Sequence, residues 1–148
     1  MGQRQGITHP LLAQAQSSET GTCWTRSKYQ RVIPLIFRHV KADAIVVRNW
    51  DELNAKKDQV KGKIVVYNQG WTNYYDTVEY RVLGAERAAA LGAVGALVRS
   101  IASNSIYSPH AGGQYNQEIP IAAITVEDAE MLQRMQNRGQ KITLELIL

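Results

Sequence analysis

Cysteine is almost absent from this 148-residue chain. Cys23 stands alone, which excludes an internal disulfide and leaves the redox compartment undetermined. Histidine is nearly as scarce: His9, His39 and His110 are isolated, with no HExxH, His-x-Asp or CxxC spacing. Zinc hydrolysis needs three or more ligands and a general base, so the chain itself carries no metal motif. The Gly-x-Ser-x-Gly elbow of serine hydrolases is missing too. Ser105 and Ser108 lie near His110, and Cys23 precedes His39, but neither pair comes with an orienting acid that would complete an active site. No stretch reaches the roughly 18 consecutive apolar residues of a membrane span. The N-terminus lacks the apolar core of a secretion signal.

Acidic residues are scarce at one end only. Net charge is +4 and the pI about 9.3. Residues 1–39 hold Arg4, Arg26, Lys28, Arg31 and Arg38 against Glu19, which accounts for all of it. Residues 40–148 are neutral, without the electrostatic footprint of a phosphate-backbone binder, so nucleic acid is not an expected partner. The first 39 residues are rich in Gln, Ser, Thr and Arg and show no sustained apolar period. They read as a disordered basic leader, either an unstructured end or an organelle transit peptide, with one short strand at 31–37 broken by Pro34.

What is present is a repeated grammar of apolar run, polar loop and capped helix. Ala44-Ile45-Val46-Val47 reads as a buried strand. Asn49-Trp50-Asp51-Glu52 has the spacing of a capping box and opens a helix through about Gln59, with Trp50, Leu53 and Val60 inward and Gly62 beyond its end. The segment Lys61–Ser100 is the organising unit. It runs from Ile64–Tyr67 through an aromatic loop, Asn68–Thr77, and an Ala-rich helix to about Leu91, then into Ala96-Leu97-Val98. Parallel strands need such a crossover, so this predicts a β-α-β unit. One side of the helix is expected to carry Val82, Ala85 and Ala89, with Leu83 and the Glu86 stem beside them. Gly84, Gly92 and Gly95 do not make a dinucleotide fingerprint, because that motif follows a strand and opens a helix. A strand over 119–124, a helix over 126–138 capped by Thr125 with Ala129, Leu132 and Met135 inward, and a strand over 141–148 with Ile142, Leu144, Leu146 and Leu148 on one face complete the domain. The three-residue stripe with Met131 and Met135 reads as packing.

Two loops stand out. Residues 102–118 form the longest irregular stretch, and loops of that length are usually functional or disordered. Tyr107, Ser108, His110 and Tyr115 there are the first candidates for contact with substrate or partner. At the opposite crossover, Trp71, Asn73, Tyr74 and Tyr75 either form a second contact surface or cover the open end of the core.

The runs KGKIVVYNQ, YRVLGAERAAALGAVGALVRSIAS, NSIYSPHAG and IPIAAITVEDAEMLQRM carry a more specific signal. From about Ala42 to Leu148 the chain resembles the protease-associated domain of the carboxypeptidase Q family of dizinc metallopeptidases. The resemblance implies a mixed α+β fold: a small β-sandwich or barrel-like sheet core with a β-α-β unit and flanking helices, over residues 40–148. It implies a non-catalytic domain that covers or shapes an active-site cleft and governs substrate access or subunit contacts. The zinc, its ligands and the catalytic glutamate belong to the family's peptidase domain, so this chain is expected to hold no cofactor and to be no enzyme by itself. Expected partners are that missing peptidase domain or a partner subunit, with a peptide substrate contacted indirectly. Family members are secreted or lysosomal. Residues 1–39 do not resemble the family's N-terminal part, which suggests a truncated or partial form. The alternatives are a zinc metallocarboxypeptidase or dipeptidase activity by homology, and a free-standing protein-interaction module.

Overall fold

A computed structural model describes residues 39–104, 109 and 118–147. Its elements run β1 (His39–Val47), α1 (Trp50–Ala55), α2 (Lys57–Val60), β2 (Ile64–Tyr67), α3 (Tyr74–Ala90), β3 (Gly95–Arg99), β4 (Ile121–Ile124), α4 (Val126–Asn137) and β5 (Thr143–Ile147). The expected α+β architecture is present, with a barrel-like curled sheet as the form of the core. The five strands lie in the order β4-β3-β2-β1-β5. The first four are mutually parallel, and β5 runs antiparallel to the first half of β1, pairing His39 with Ile147 and Asp43 with Thr143.

Alternation along the strands divides the core in two, since successive side chains point to opposite faces. Ile45, Val47, Val65, Tyr67, Ala96 and Val98 face one way and are covered by α1, α2 and α3. Val46, Ile64, Val66, Leu97, Ala122 and Ile124 face the other way, onto Ala129 and Leu132 of α4 and Leu144 and Leu146 of β5. Strands buried on both faces read as unbroken apolar runs, which is why Ile64–Tyr67 shows no polar alternation.

The helices start and stop where local chemistry dictates. Asn49, Asn73 and Thr125 each accept a hydrogen bond from the backbone N–H three residues on, capping α1, α3 and α4. At the far end of α3, Gly92 takes φ +81° and donates to the Ala89 carbonyl, while Ala93 donates to Ala88. This is a Schellman closure, and Gly139 closes α4 the same way.

Several boundaries differ from expectation. The first helix is interrupted at Lys56, whose φ of −99° and ψ of 11° separate α1 from α2. β1 begins at His39 instead of near Ala44, because its first half is held by pairing with β5, a partner about a hundred residues away that no local window contains. The Ala-rich helix begins at Tyr74, three residues before Thr77, so Tyr74 and Tyr75 belong to a helix and not to a loop. Its buried face is Thr77, Arg81, Gly84, Ala85 and Ala88, while Val82 and Ala89 are half-buried and Glu86 is exposed. The face is rotated because Gly84, having no side chain, gives the closest approach to Tyr67 of the sheet. On α4 Ala129 and Leu132 are buried as expected, and Met135 is partly so.

Candidate functional site

All four parallel strands end at the same edge of the sheet, and the polar residues that follow them gather there. After Tyr67 come Asn68 and Gln69, and after Arg99 comes Ser100; Asn68, Gln69 and Ser100 are all buried. In open α/β sheets this is the edge where ligands bind, because loops and helix N-termini converge on it.

On the α4 side, the Arg99 guanidinium donates to Asn68 Oδ1 at 2.9 Å and to Glu130 Oε1 at 2.6 Å. Alternation predicts this: Asn68 and Arg99 lie on the face that Val66 and Leu97 share. Beside them Gln133, also buried, accepts from Arg48 Nε at 3.4 Å and donates to Asn137 Oδ1 at 2.9 Å. The network locks the strand ends to α4.

On the α3 side, Gln69 Nε2 donates to the Arg99 carbonyl at 2.9 Å, which leaves Gln69 Oε1 buried without a partner. Arg81 is buried as well. Its Nη2 donates to the Tyr74 hydroxyl at 3.1 Å, while Nε and Nη1 have no hydrogen-bond partner. Neither Gln69 nor Arg81 is among the residues that the sequence singles out. For Arg81 the available signal was its spacing: Thr77, Arg81, Gly84 and Ala88 recur at the helical period.

The outer rim is aromatic. Trp71 is 39% exposed, Tyr74 42% and Tyr75 84%. Tyr74 and Tyr75 meet edge to face at 6.1 Å, and Asn73 anchors the turn by accepting from Asp76 N at 3.0 Å and donating to Asp76 Oδ2 at 2.6 Å. These side chains therefore stand outward as a surface and do not cap the core. The covering role falls to Trp50, which stacks on Tyr80 at 4.2 Å and meets Tyr67 edge-on at 5.4 Å, with Arg87 4.0 Å above it.

Tyr107, Ser108, His110 and Tyr115 lie outside the described residues, as do Cys23, Leu148 and the strand expected over 31–37. His39 is described, and its ring pairs with the Glu145 carboxylate on the exposed face of β1 and β5. Among the described residues no three His, Cys, Asp or Glu side chains converge as a metal requires, so their donor set does not fit a zinc ion. No described helix is long and apolar enough to cross a membrane.

Comparison with known proteins agrees with this architecture. The chain is 52% identical to mouse carboxypeptidase Q and 51% identical to the human protein over 111 residues, covering 72% of this chain and 24% of each relative. It therefore spans about a quarter of the length of these curated relatives. Among solved structures, a peptidase M28 precursor from Shewanella amazonensis superimposes with a TM-score of 0.64 at 26% identity, covering 74% of this chain and 28% of that one. An aminopeptidase from Aneurinibacillus sp. strain AM-1 shares the fold at a TM-score of 0.53 and 19% identity, covering 76% of this chain and 25% of its own. The PA domain model matches residues 19–132, and the chain belongs to the PA domain family.

Proposed function

We propose that this chain acts as the non-catalytic PA domain of a carboxypeptidase Q-like zinc peptidase, lying beside the peptidase domain and shaping entry to its cleft. The supporting observation is the 52% identity to mouse carboxypeptidase Q over 111 residues, which covers about a quarter of that protein. In this reading the rim of Trp71, Tyr74 and Tyr75 faces the peptidase domain or an incoming peptide. Exposed aromatic side chains beside a rigid sheet edge suit such contacts, because they bury large area at little cost in conformational entropy. Zinc and the catalytic glutamate come from the peptidase domain, and this chain supplies surface and position.

Two experiments test it. Dipeptide hydrolysis by the 148-residue chain with added zinc should be at background, and chelator-sensitive turnover would overturn the proposal. Grafting residues 40–148 in place of the matching segment of mouse carboxypeptidase Q should preserve zinc content and kcat. In that graft, Trp71→Ala with Tyr75→Ala should raise KM for dipeptides by about threefold or more, on the scale of losing about 0.7 kcal/mol of binding. An unchanged KM would remove the aromatic rim from the cleft.

A further inference from the structure

Arg81 is only 8% exposed, and its side chain ends in a cationic guanidinium. Only Nη2 is engaged, by a neutral tyrosine hydroxyl, and Nε and Nη1 have no partner. A buried cation without a counter-charge is unfavourable unless something supplies one. Neither undescribed internal segment does so by composition: residues 105–108 and 110–117 contain no Asp or Glu.

The fold places a second unsatisfied group at the same end of the sheet, on the face that α3 covers. Gly84 of α3 lies over Tyr67. Arg81 is one turn nearer the helix N-terminus, about 4.5 Å along the axis, which carries it past the end of β2 to the level of Gln69. Gln69 is 2% exposed and its Oε1 is an unpaired acceptor. Unused cationic N–H donors and an unused carbonyl acceptor at one end of the sheet match a carboxylate with a neighbouring amide N–H, the two groups found together in a peptide. The open Nε and Nη1 each border Nη2, and with one Nη2 hydrogen held by Tyr74 the other leaves one edge of the guanidinium where a carboxylate meets a pair of parallel donors. Tyr74, bonded to Arg81 and 42% exposed, connects the buried charge to solvent and to the aromatic rim.

We propose that Arg81 and Gln69 form a carboxylate-recognition site for a peptide held at the carboxyl edge of the sheet, between α3 and the end of β2. The choice of a peptide as the source of the carboxylate rests on the proposed place beside a peptidase. The carboxylate is either the peptide's own terminus or an acidic side chain, and the test separates them.

The full 148-residue chain is titrated with trialanine, with trialanine amide, and with an acetylated, amidated tripeptide carrying a central aspartate. Melting temperature and the NMR signals of the Arg81 Nε–H and the Gln69 side-chain amide are followed. A rise in Tm of about 2 °C or more at about 10 mM, with shifts at both signals, is expected for peptides bearing the recognised carboxylate. A response to trialanine but not to its amide assigns the terminus, and a response to the aspartate peptide alone assigns the side chain. Arg81→Met should fold with an equal or higher Tm, since it removes an uncompensated charge, and should not respond. The proposal is overturned if no peptide shifts either signal of the native chain, or if Arg81→Met still responds. Because binding is read on this chain alone, such a failure leaves the graft experiment above unaffected.

Discussion

The Tyr67 hydroxyl at the end of β2 donates a 2.8 Å hydrogen bond to the backbone carbonyl of Gly84 in the middle of α3. A Cβ built on Gly84 would lie 2.9 Å from Cε2 of the same ring, so strand and helix meet there with no room for a methyl group. In an exposed helix Gly→Ala gains about 1 kcal/mol. Here overpacking against a buried ring costs about 1–3 kcal/mol. Gly84→Ala is therefore expected to lower stability or leave it unimproved in urea unfolding, and Tyr67→Phe to lower it by about 1 kcal/mol. A clear gain in stability for Gly84→Ala would mean the helix is free to move off the sheet.

Gln136 of α4 does the work of a missing strand. β5 pairs with β1 only as far as Asp43, and beyond that point the Gln136 amide accepts from Val46 N at 2.7 Å and donates to Val46 O at 2.8 Å. Gln136→Leu strands a buried N–H and is expected to cost about 1–3 kcal/mol. Gln136→Glu keeps an acceptor for the N–H but loses the donor. Faster hydrogen exchange at the Val46 amide in Gln136→Leu is the specific readout, and unchanged protection would show that another group holds β1.

Asn73 sets where α3 begins. Asn73→Ala removes the cap from Asp76 N and should cost about 1 kcal/mol, whereas Asn73→Gly should cost only a few tenths. Chemical denaturation of the two variants side by side measures this ordering. Equal losses would point to the Asn73–Asp76 side-chain bond instead of the cap.

Stability should fall at both ends of the pH scale. Burial pushes the Tyr67 phenol well above its ordinary 10.0, outweighing the opposing pull of Arg87, and burial also raises Tyr80. The unfolded chain then releases protons near pH 10 that the folded chain keeps, so stability is intact below that value and declines above it. At the acid end, partial burial tends to raise Glu52, but bonds from the Lys56 ammonium and the Arg48 backbone N–H outweigh it and hold the carboxyl below its ordinary 4.5. Its contribution is present above pH 4.5 and is lost as pH falls through the lowered folded value. Melting curves should show Tyr67→Phe flattening the alkaline limb and Glu52→Gln flattening the acid limb. An alkaline limb unchanged by Tyr67→Phe would assign it to other groups.

Much of this protein was determined by local sequence. The apolar runs at Ile64–Tyr67 and Ala96–Val98, the caps at Asn49 and Thr125, and the glycine stops at Gly92 and Gly139 are short-range effects, and each produced its element within a few residues. The β-α-β unit follows from them, since connection length decides between parallel and antiparallel pairing. Only the tertiary structure decided the rest, because it depends on partners far apart along the chain. Such partners set the first half of β1 against β5, Gln136 in place of a strand, and the rotation of α3 that turns Gly84 and Arg81 inward. The strand-end edge belongs to this second class: Gln69 and Arg81 are ordinary surface residues by composition. It is the packing of a helix against a sheet end that strips them of water and leaves Gln69 Oε1 and the Arg81 Nε and Nη1 without partners.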